Sequence, residues 1–470
     1  MKTLQPEVKV VNIYTKFDDL YVRETKGYYT NLRWLMVGLT QLLFFGLPWL
    51  SWNGRAAVLF DLPARKFYLF GLVLLPQDFI YLSLLLIICA YSLFLFTAIT
   101  GRVWCGFSCP QTVYTQIFMW LENRVEGSHS ARMRLAKQAW TLEKVRKKLF
   151  KHGLWTLFAL LTGFSFVAYF VPAVQLFKAL LHAEIGPWAL FWGLFYAGFT
   201  FLNAGIMRDH FCRYLCPYAR FQGAMMDKDT LIVSYDAQRG EPRQAWKKQT
   251  AQARQQASCI DCSLCVQVCP TGIDIRNGLQ HDCIGCAACI DACNGVMDKL
   301  QAPRGLIRFS TENALQLGWS LARIRRNLFR PRVMIYTAIL LLLLSAFVLG
   351  LSQHRDLRIN VLRDRSISYR QIDDHSYENV YRLNMISSAE QSRLVEVSVS
   401  GAGNFRVAGT SRFNLHATET RQFPVTVRVS NADLSQSQSK IRFQVYEIDK
   451  QTGEKRLLTE ETGQFYLPRT

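Results

Sequence analysis

The sequence predicts a membrane α-helical bundle of five transmembrane helices, a cytoplasmic cysteine-rich module and a C-terminal all-β sandwich. Three observations carry that reading: five long uncharged runs, thirteen cysteines that all fall before residue 294, and short β-rich runs without cysteine after residue 357. The 470 residues are 50% apolar and 13% aromatic, rich for a soluble protein and dilute for a pure bundle, so membrane and aqueous parts share the chain.

The runs Trp34 to Gly54, Phe79 to Gly101, Gly153 to Phe177, Gly186 to Met207 and Val333 to Gln353 are long enough to cross a hydrocarbon core, which needs roughly 17 to 25 apolar residues. The run FYLFGLVLLP at 67–76 is only ten residues and reads as an interfacial or re-entrant piece.

Charge gives the orientation. Between the first two spans the basic residues are Arg55, Arg65 and Lys66, and between the third and fourth there is Lys178. The Arg102 to Lys151 loop has ten Lys or Arg, and Arg208 to Arg332 has eighteen. Basic residues concentrate on the cytoplasmic side, so the N-terminus and both long loops are expected inside and the tail outside. About thirty polar residues precede the first span, which therefore reads as a retained helix rather than a cleaved signal. The net charge of +20 gathers in juxtamembrane runs such as KVRKKLFK and RIRRNLFRPR, where anionic lipid head groups explain it and nucleic acid does not.

The expected order is a cytoplasmic arm (1–33), four helices as two hairpins (34–207) around a basic loop (102–152), a cytoplasmic segment (208–332), a fifth helix (333–353) and an exported sandwich (354–470). Residues 238–257 read as a polar surface helix or linker. In the tail, LRINVL, ENVYRLNMI, RLVEVSVSG, FPVTVRVS and IRFQVYEI are separated by turn residues, the pattern of an immunoglobulin-like sandwich.

Eight cysteines form CIDCSLCVQVCP (259–270) and CIGCAACIDAC (283–293), each C-x2-C-x2-C-x3-C. This spacing wraps three thiolates around one face of a [4Fe-4S] cubane while the fourth serves the neighbouring cluster. Cys259, Cys262, Cys265 and Cys293 are thus assigned to one cluster, and Cys283, Cys286, Cys289 and Cys269 to the second, in a ferredoxin-like module at about 255–300. Zinc sites usually use two C-x2-C pairs without the added C-x3-C step, and disulfides are disfavoured in the cytoplasm. Asn294 stands where the first set has Pro270, loosening a turn without removing a ligand.

Each hairpin ends in a Cys-x-x-x-Cys-Pro, WCGFSCP at 104–110 and FCRYLCP at 211–217, as a parallel repeat would place them. A cysteine followed by Pro suits the first turn of a helix, where the N-terminus favours a thiolate. Cys109 and Cys216 are expected as low-pKa thiolates, with Cys105 and Cys212 as partners. Three readings stay open for these four: a soft-metal or redox thiol site suited to Cu(I), a third iron–sulfur cluster, or a structural role. His210 is a possible added ligand, and Cys89 reads as packing. None of the five runs contains His, Asp, Glu, Lys or Arg, which argues against haem b or an ion path in the bundle. The tail's Met385, His375 and His416, after His354 at the membrane edge, are too few to nominate an external copper site.

The segments GLPWLSWNGRAAVLFDLPARKFYLFG, LPQDF, RVWCGFSCPQTVYTQIFMWLE, FCRYLCPYARFQGAMMDKDTLIVSYD, RGEPR, CPTGIDIRNGLQHDCIGCAACIDACNGVMDK and PRGLIRF resemble the polyferredoxin-like accessory proteins of cbb3-type cytochrome c oxidase assembly, the FixG/CcoG/RdxA family. The resemblance covers nearly the whole chain and departs at no expected ligand. It implies a multi-pass protein of the bacterial inner membrane that reduces Cu(II) to Cu(I), with Cys105, Cys109, Cys212 and Cys216 facing copper. The implied partners are the bilayer, copper ions, oxidase assembly proteins, a copper transporter or chaperone, and an unidentified electron donor. Two other functions compete: an electron-transfer subunit of a quinone-linked respiratory enzyme, and a non-enzymatic assembly scaffold.

Overall fold

The computed structural model describes residues 21–244, 259–353, 356–364, 369–373, 376–389, 391–430, 438–449 and 452–467. Residues 1–20 of the expected arm, 245–257 of the expected linker, His354 and His375 lie outside them. The chain divides into two compact units, one of residues up to 47, 87–167 and 179–341, the other of 48–86, 168–178 and 342 onward.

Among the described residues four helices are long and apolar enough to cross a membrane: Tyr28–Trp49, Pro76–Thr100, Pro187–Met207 and Pro331–Ser352. The first starts six residues before the expected Trp34 and stops short of Gly54. Asn53 and Gly54, at φ 48° and 78°, instead make a tight turn between strands Ser51–Trp52 and Arg55–Ala56, the Asn-Gly hairpin signal that the apolar run conceals.

The expected third span, Gly153 to Phe177, is corrected. Its helix is Leu142–Val167, and the chain turns over 168–172 before a second helix, Ala173–Leu181. Pro172 opens that second helix and has no N–H with which to continue the first. The apolar part from Gly153 to Val167 is fifteen residues, or about 22 Å of helix. The 67–76 run is no helix. It forms strands Lys66–Leu69 and Leu72–Leu74, which join Val58–Asp61 in an antiparallel sheet.

In the first unit, Leu142–Val167 crosses Pro187–Thr200 at two glycines. A Cβ on Gly163 would stand 2.2 Å from the Gly193 carbonyl oxygen, so small residues let the two helix backbones approach closely at this crossing. Phe166 and Tyr196 stack at 4.4 Å beside it, and the Trp155 indole donates to the Phe118 carbonyl at 3.1 Å.

Much of KVRKKLFK is engaged within the protein. Lys144 donates to the carbonyls of Ala136 and Gln138, while Lys148 and Lys151 each lie 2.9 Å from the buried Glu126 carboxylate. Neighbouring Glu122 meets Arg208 at 2.6 Å, with Arg132 and Lys151 at 3.8 Å. The basic loop thus neutralises two buried acids, and Arg146 stays exposed. Burial raises the Glu126 pKa, but hydrogen bonds from Lys148 and Lys151 prevail and hold it below the usual value. A depressed carboxylate stabilises the fold above its unfolded pKa, about 4.3, and that contribution is lost as pH falls through the folded value. Glu126→Gln is expected to cost about 3 kcal/mol at pH 7 and to flatten the fall of detergent-phase Tm below about pH 4.5. Equal Tm-against-pH curves for the two proteins would refute this.

The second unit holds the sandwich. One sheet runs Arg406–Ala408, Thr420–Ser430, Ser376–Ser387, Leu357–Arg363, with Arg370–Asp373 also paired to Ser376–Ser387; the other runs Arg412–Leu415, Arg393–Gly401, Gln438–Ile448, Lys455–Tyr466. All pairings are antiparallel. Phe423, Val425, Val427 and Val429 alternate inward against Tyr381, Leu383 and Phe443, the period-two pattern of a half-buried strand. With no cysteine, the core is closed by packing and by the Tyr381 hydroxyl, which donates to the Gln464 carbonyl at 2.8 Å. Buried Asp78 pairs with Arg358 of the first sandwich strand at 2.5 Å.

Candidate functional site: two cysteine cavities and a thiol pocket

The two ligand loops fold alike. In the first, Asp261 and Ser263 have φ of 53° and 54°; at the equivalent places in the second, Gly285 and Ala287 have φ of 69° and 58°. Left-handed residues cost an L-amino acid roughly 1–2 kcal/mol each, yet they curl a loop so that successive N–H groups converge on an anionic centre. Ser263 opens the short helix Leu264–Gln267, and Ala287 opens Ala288–Lys299, which carries Cys289 and Cys293.

Two cavities result. Cys259, Cys262, Cys265 and Cys293 line one, with walls of Tyr235, Leu264, Met297 and Ile307. Cys269, Cys283, Cys286 and Cys289 line the other, with Val233, Ile273, Ile275 and Ile284, and Cys265 lies on the border of both. Burial, reinforced in part by neighbouring thiolates, pushes the Cys283 and Cys293 thiols up to about 12 and Cys289 well above its usual value. Apolar walls around four thiols favour thiolates only when a cationic core comes with them, which is the donor chemistry of an iron–sulfur cluster. Each cavity draws its fourth cysteine from the other motif.

The Cys-x-x-x-Cys-Pro segments meet beside the second cavity. Cys105 lies in the short helix Val103–Phe107, and Cys109 caps Pro110–Glu126. Cys212 lies in the turn Phe211–Leu215, and Cys216 caps Pro217–Met225. The four thiols are close enough to influence one another's ionisation: Cys105 feels Cys109 and Cys216, and Cys212 feels the other three. The prolines take the first helical positions, as expected, but Cys109 is not a low-pKa thiol. Burial raises it more than the backbone N–H groups of Gln111 and Thr112 lower it. Burial likewise carries Cys105 to about 11 and Cys212 to about 12. His210 stacks on Tyr214 at 6.0 Å, and Cys89 is exposed on its helix rather than packed inside.

Four residues that the motifs did not single out join these parts. Buried Arg102 donates to the carbonyls of His281 and Cys283 in the second ligand loop and, at 2.8 Å, to that of Ala219 in the helix after Cys216. Gly106 touches the same loop: a Cβ there would stand 2.7 Å from the Cys286 Cα. Cys105 packs against Val268, Ile284, Cys286 and Ala288, and Gln222 accepts from its thiol at 3.5 Å. Arg213 donates to the Thr271 carbonyl and faces Asp282 at 3.7 Å. The only hint in the sequence was position, since Arg102 and Gly106 flank Cys105.

With this geometry in view, comparison with known proteins decides the family. Over 86% of each chain, this protein is 39% identical to protein RdxB of Cereibacter sphaeroides. The chain belongs to the FixG/RdxA family. It is also 36% identical to the nitrogen fixation protein FixG of Rhizobium meliloti, over 84% of this chain and 82% of that one. Family profiles match a 4Fe-4S dicluster domain at 207–312, a 4Fe-4S binding domain at 82–127 and 185–228, and the IG-like fold at the C-terminus of FixG at 347–468. A solved FixG-related protein from Vibrio parahaemolyticus overlaps 24% of this chain and 97% of its own, at 20% identity and a TM-score of 0.19. Within the family this is an iron–sulfur electron-transfer protein with apolar helices and an immunoglobulin-like tail.

Proposed function

We propose that the protein is a cupric reductase: it accepts single electrons and delivers them to Cu(II) held by Cys105, Cys109, Cys212 and Cys216. The carrying observation is the seating of Cys105 and Gly106 directly on the loop of Cys286. [4Fe-4S] clusters, bound by the eight cysteines, supply one-electron chemistry beside that loop. Each Cu(II) takes one electron and becomes Cu(I), which soft thiolates prefer. Copper binding also answers the raised thiol pKa values, since a cation displaces the proton that burial retains.

Charge asymmetry supports an inner-membrane setting with the cysteine-rich module in the cytoplasm and the sandwich outside. Leu142–Val167 is read as a fifth membrane helix whose basic first turns stay at the surface. Cu(I) would pass to a transporter or chaperone serving cbb3-type oxidase assembly.

The test is anaerobic. Reduced protein freed of reductant is mixed with Cu(II), and Cu(I) is followed with a chromophoric chelator. The wild type is expected to form Cu(I) as its clusters reoxidise and their visible absorbance returns, while the Cys105→Ser/Cys109→Ser/Cys212→Ser/Cys216→Ser variant keeps its iron and forms little. Equal Cu(I) from both would remove the thiols from the path. One observation favours a second reading: the 4Fe-4S binding profile falls on the two segments that carry these thiols. If they hold a third cluster, wild type contains about twelve irons rather than about eight, and the variant loses about four.

A further inference from the structure

A cavity of about 540 Å³ opens in the first unit between residues 22–34, the helix Pro110–Glu126 and the ligand loops, a size within the range of small-molecule sites. Its wall includes Val268, Pro270 and Ala288, which adjoin Cys269 and Cys289 in sequence. Trp34 and Trp120 line it with ring centroids 6.2 Å apart, and the Arg124 guanidinium lies 5.4 Å from the Trp120 centroid.

Its charge is one-sided. Arg23, Lys26, Arg33 and Arg124 line the cavity with a single acid, Glu24. Arg33 is the telling one, 8% exposed; among the described residues its side chain makes one hydrogen bond, a 3.4 Å contact to the Thr30 hydroxyl, and its Nε has no partner. No carboxylate pairs with it among the described residues. A buried, unpaired guanidinium is costly and calls for an anion. An adjoining cavity shares Arg23, Lys26 and Arg124 and reaches Ser128, His129 and Ser130 at the start of the helix His129–Lys137, where backbone N–H groups favour phosphate.

We propose that this cavity binds a phosphate-bearing reduced flavin, a flavin mononucleotide in its hydroquinone form, as electron donor. The isoalloxazine lies against Trp34 and Trp120 and the phosphate on the arginines. This rests on the reading of the eight cysteines as cluster ligands and supplies the donor for the proposed reductase. The chemistry selects the class. A nicotinamide gives hydride and cannot feed one-electron centres directly, and a quinol carries no phosphate. Reduced flavin gives two electrons singly. Two Cu(II) become two Cu(I), the flavin becomes fully oxidised, and two protons leave to solvent.

The test uses detergent-purified holoprotein. Oxidised flavin mononucleotide is expected to quench tryptophan fluorescence saturably. Riboflavin, which lacks the phosphate, is expected to bind at least about tenfold more weakly, and Arg124→Gln and Arg33→Gln each to weaken the mononucleotide about tenfold. Under anaerobic conditions the reduced mononucleotide should bleach the wild-type visible absorbance about tenfold faster than that of Arg124→Gln, whereas dithionite bleaches both equally. Equal binding of riboflavin and mononucleotide overturns the proposal. So does saturable quenching by short-chain phosphatidylglycerol with no flavin binding, which makes the cavity a lipid head-group site. Copper reduction after dithionite treatment is independent of the cavity, so either hypothesis can fail alone.

Discussion

Cys269→Ala is expected to lower iron from about eight to about four per chain, and adding Cys286→Ala should remove no more. The two residues lie in different motifs, yet both line the cavity shared with Cys283 and Cys289. A cluster already lost through one ligand cannot be lost again through another, so the effects do not add. The converse pairing, Cys269→Ala with Cys262→Ala, should empty both cavities, since Cys262 lines only the other. Iron analysis with electron paramagnetic resonance of the reduced proteins provides the readout. If Cys269→Ala with Cys286→Ala empties both sites while Cys269→Ala with Cys262→Ala empties one, each motif keeps its own fourth cysteine and the crossed assignment is wrong.

Gly106→Val is expected to slow copper reduction about a hundredfold while leaving iron content unchanged, because displacement of a reacting group by about 1 Å can cost that much. The Cβ alone would stand 2.7 Å from the Cys286 Cα and 2.8 Å from its N, and backbone cannot yield as a side chain would. Valine therefore forces the Cys105 helix off the ligand loop, at a stability cost of about 1–3 kcal/mol. Stopped-flow recovery of visible absorbance when Cu(II) oxidises the reduced protein reports the rate, and Tm reports the stability. An unchanged rate would show that electrons leave by a route other than the Cys105 contact.

The legible and illegible parts of this chain differ in range. The eight cysteines could be read because their spacing is local and a cubane fixes the distances. Alternation at Phe423, Val425, Val427 and Val429 marked the sandwich for the same reason. Hydrophobic length misled beside Asn53–Gly54, where apolar residues also build strands, and where Pro172 interrupts a run. Convergence of the four motif thiols was legible from the repeat, but their protonation was not. A helix N-terminus predicts a lowered thiol pKa, whereas burial, which decides the outcome at Cys109, depends on what packs over it. The basic loop misled likewise, since Lys148 and Lys151 look like lipid anchors until Glu126 is placed between them. Arg102, Gly106 and Gln222 make these contacts with segments remote in sequence.

Arg102 has a consequence for biogenesis. Its guanidinium spans three stretches made at different times: its own position after the second helix, Ala219 more than a hundred residues later, and the His281–Cys283 loop later still. The first motif can be inserted and anchored long before its last hydrogen-bond acceptors have been synthesised. Val268, Ile284, Cys286 and Ala288, the residues packed around Cys105, likewise arrive only when the ligand loops close. The thiol pocket is therefore completed only after the ligand loops have been made and closed, and a chain starved of iron would carry its four motif thiols without their finished surroundings.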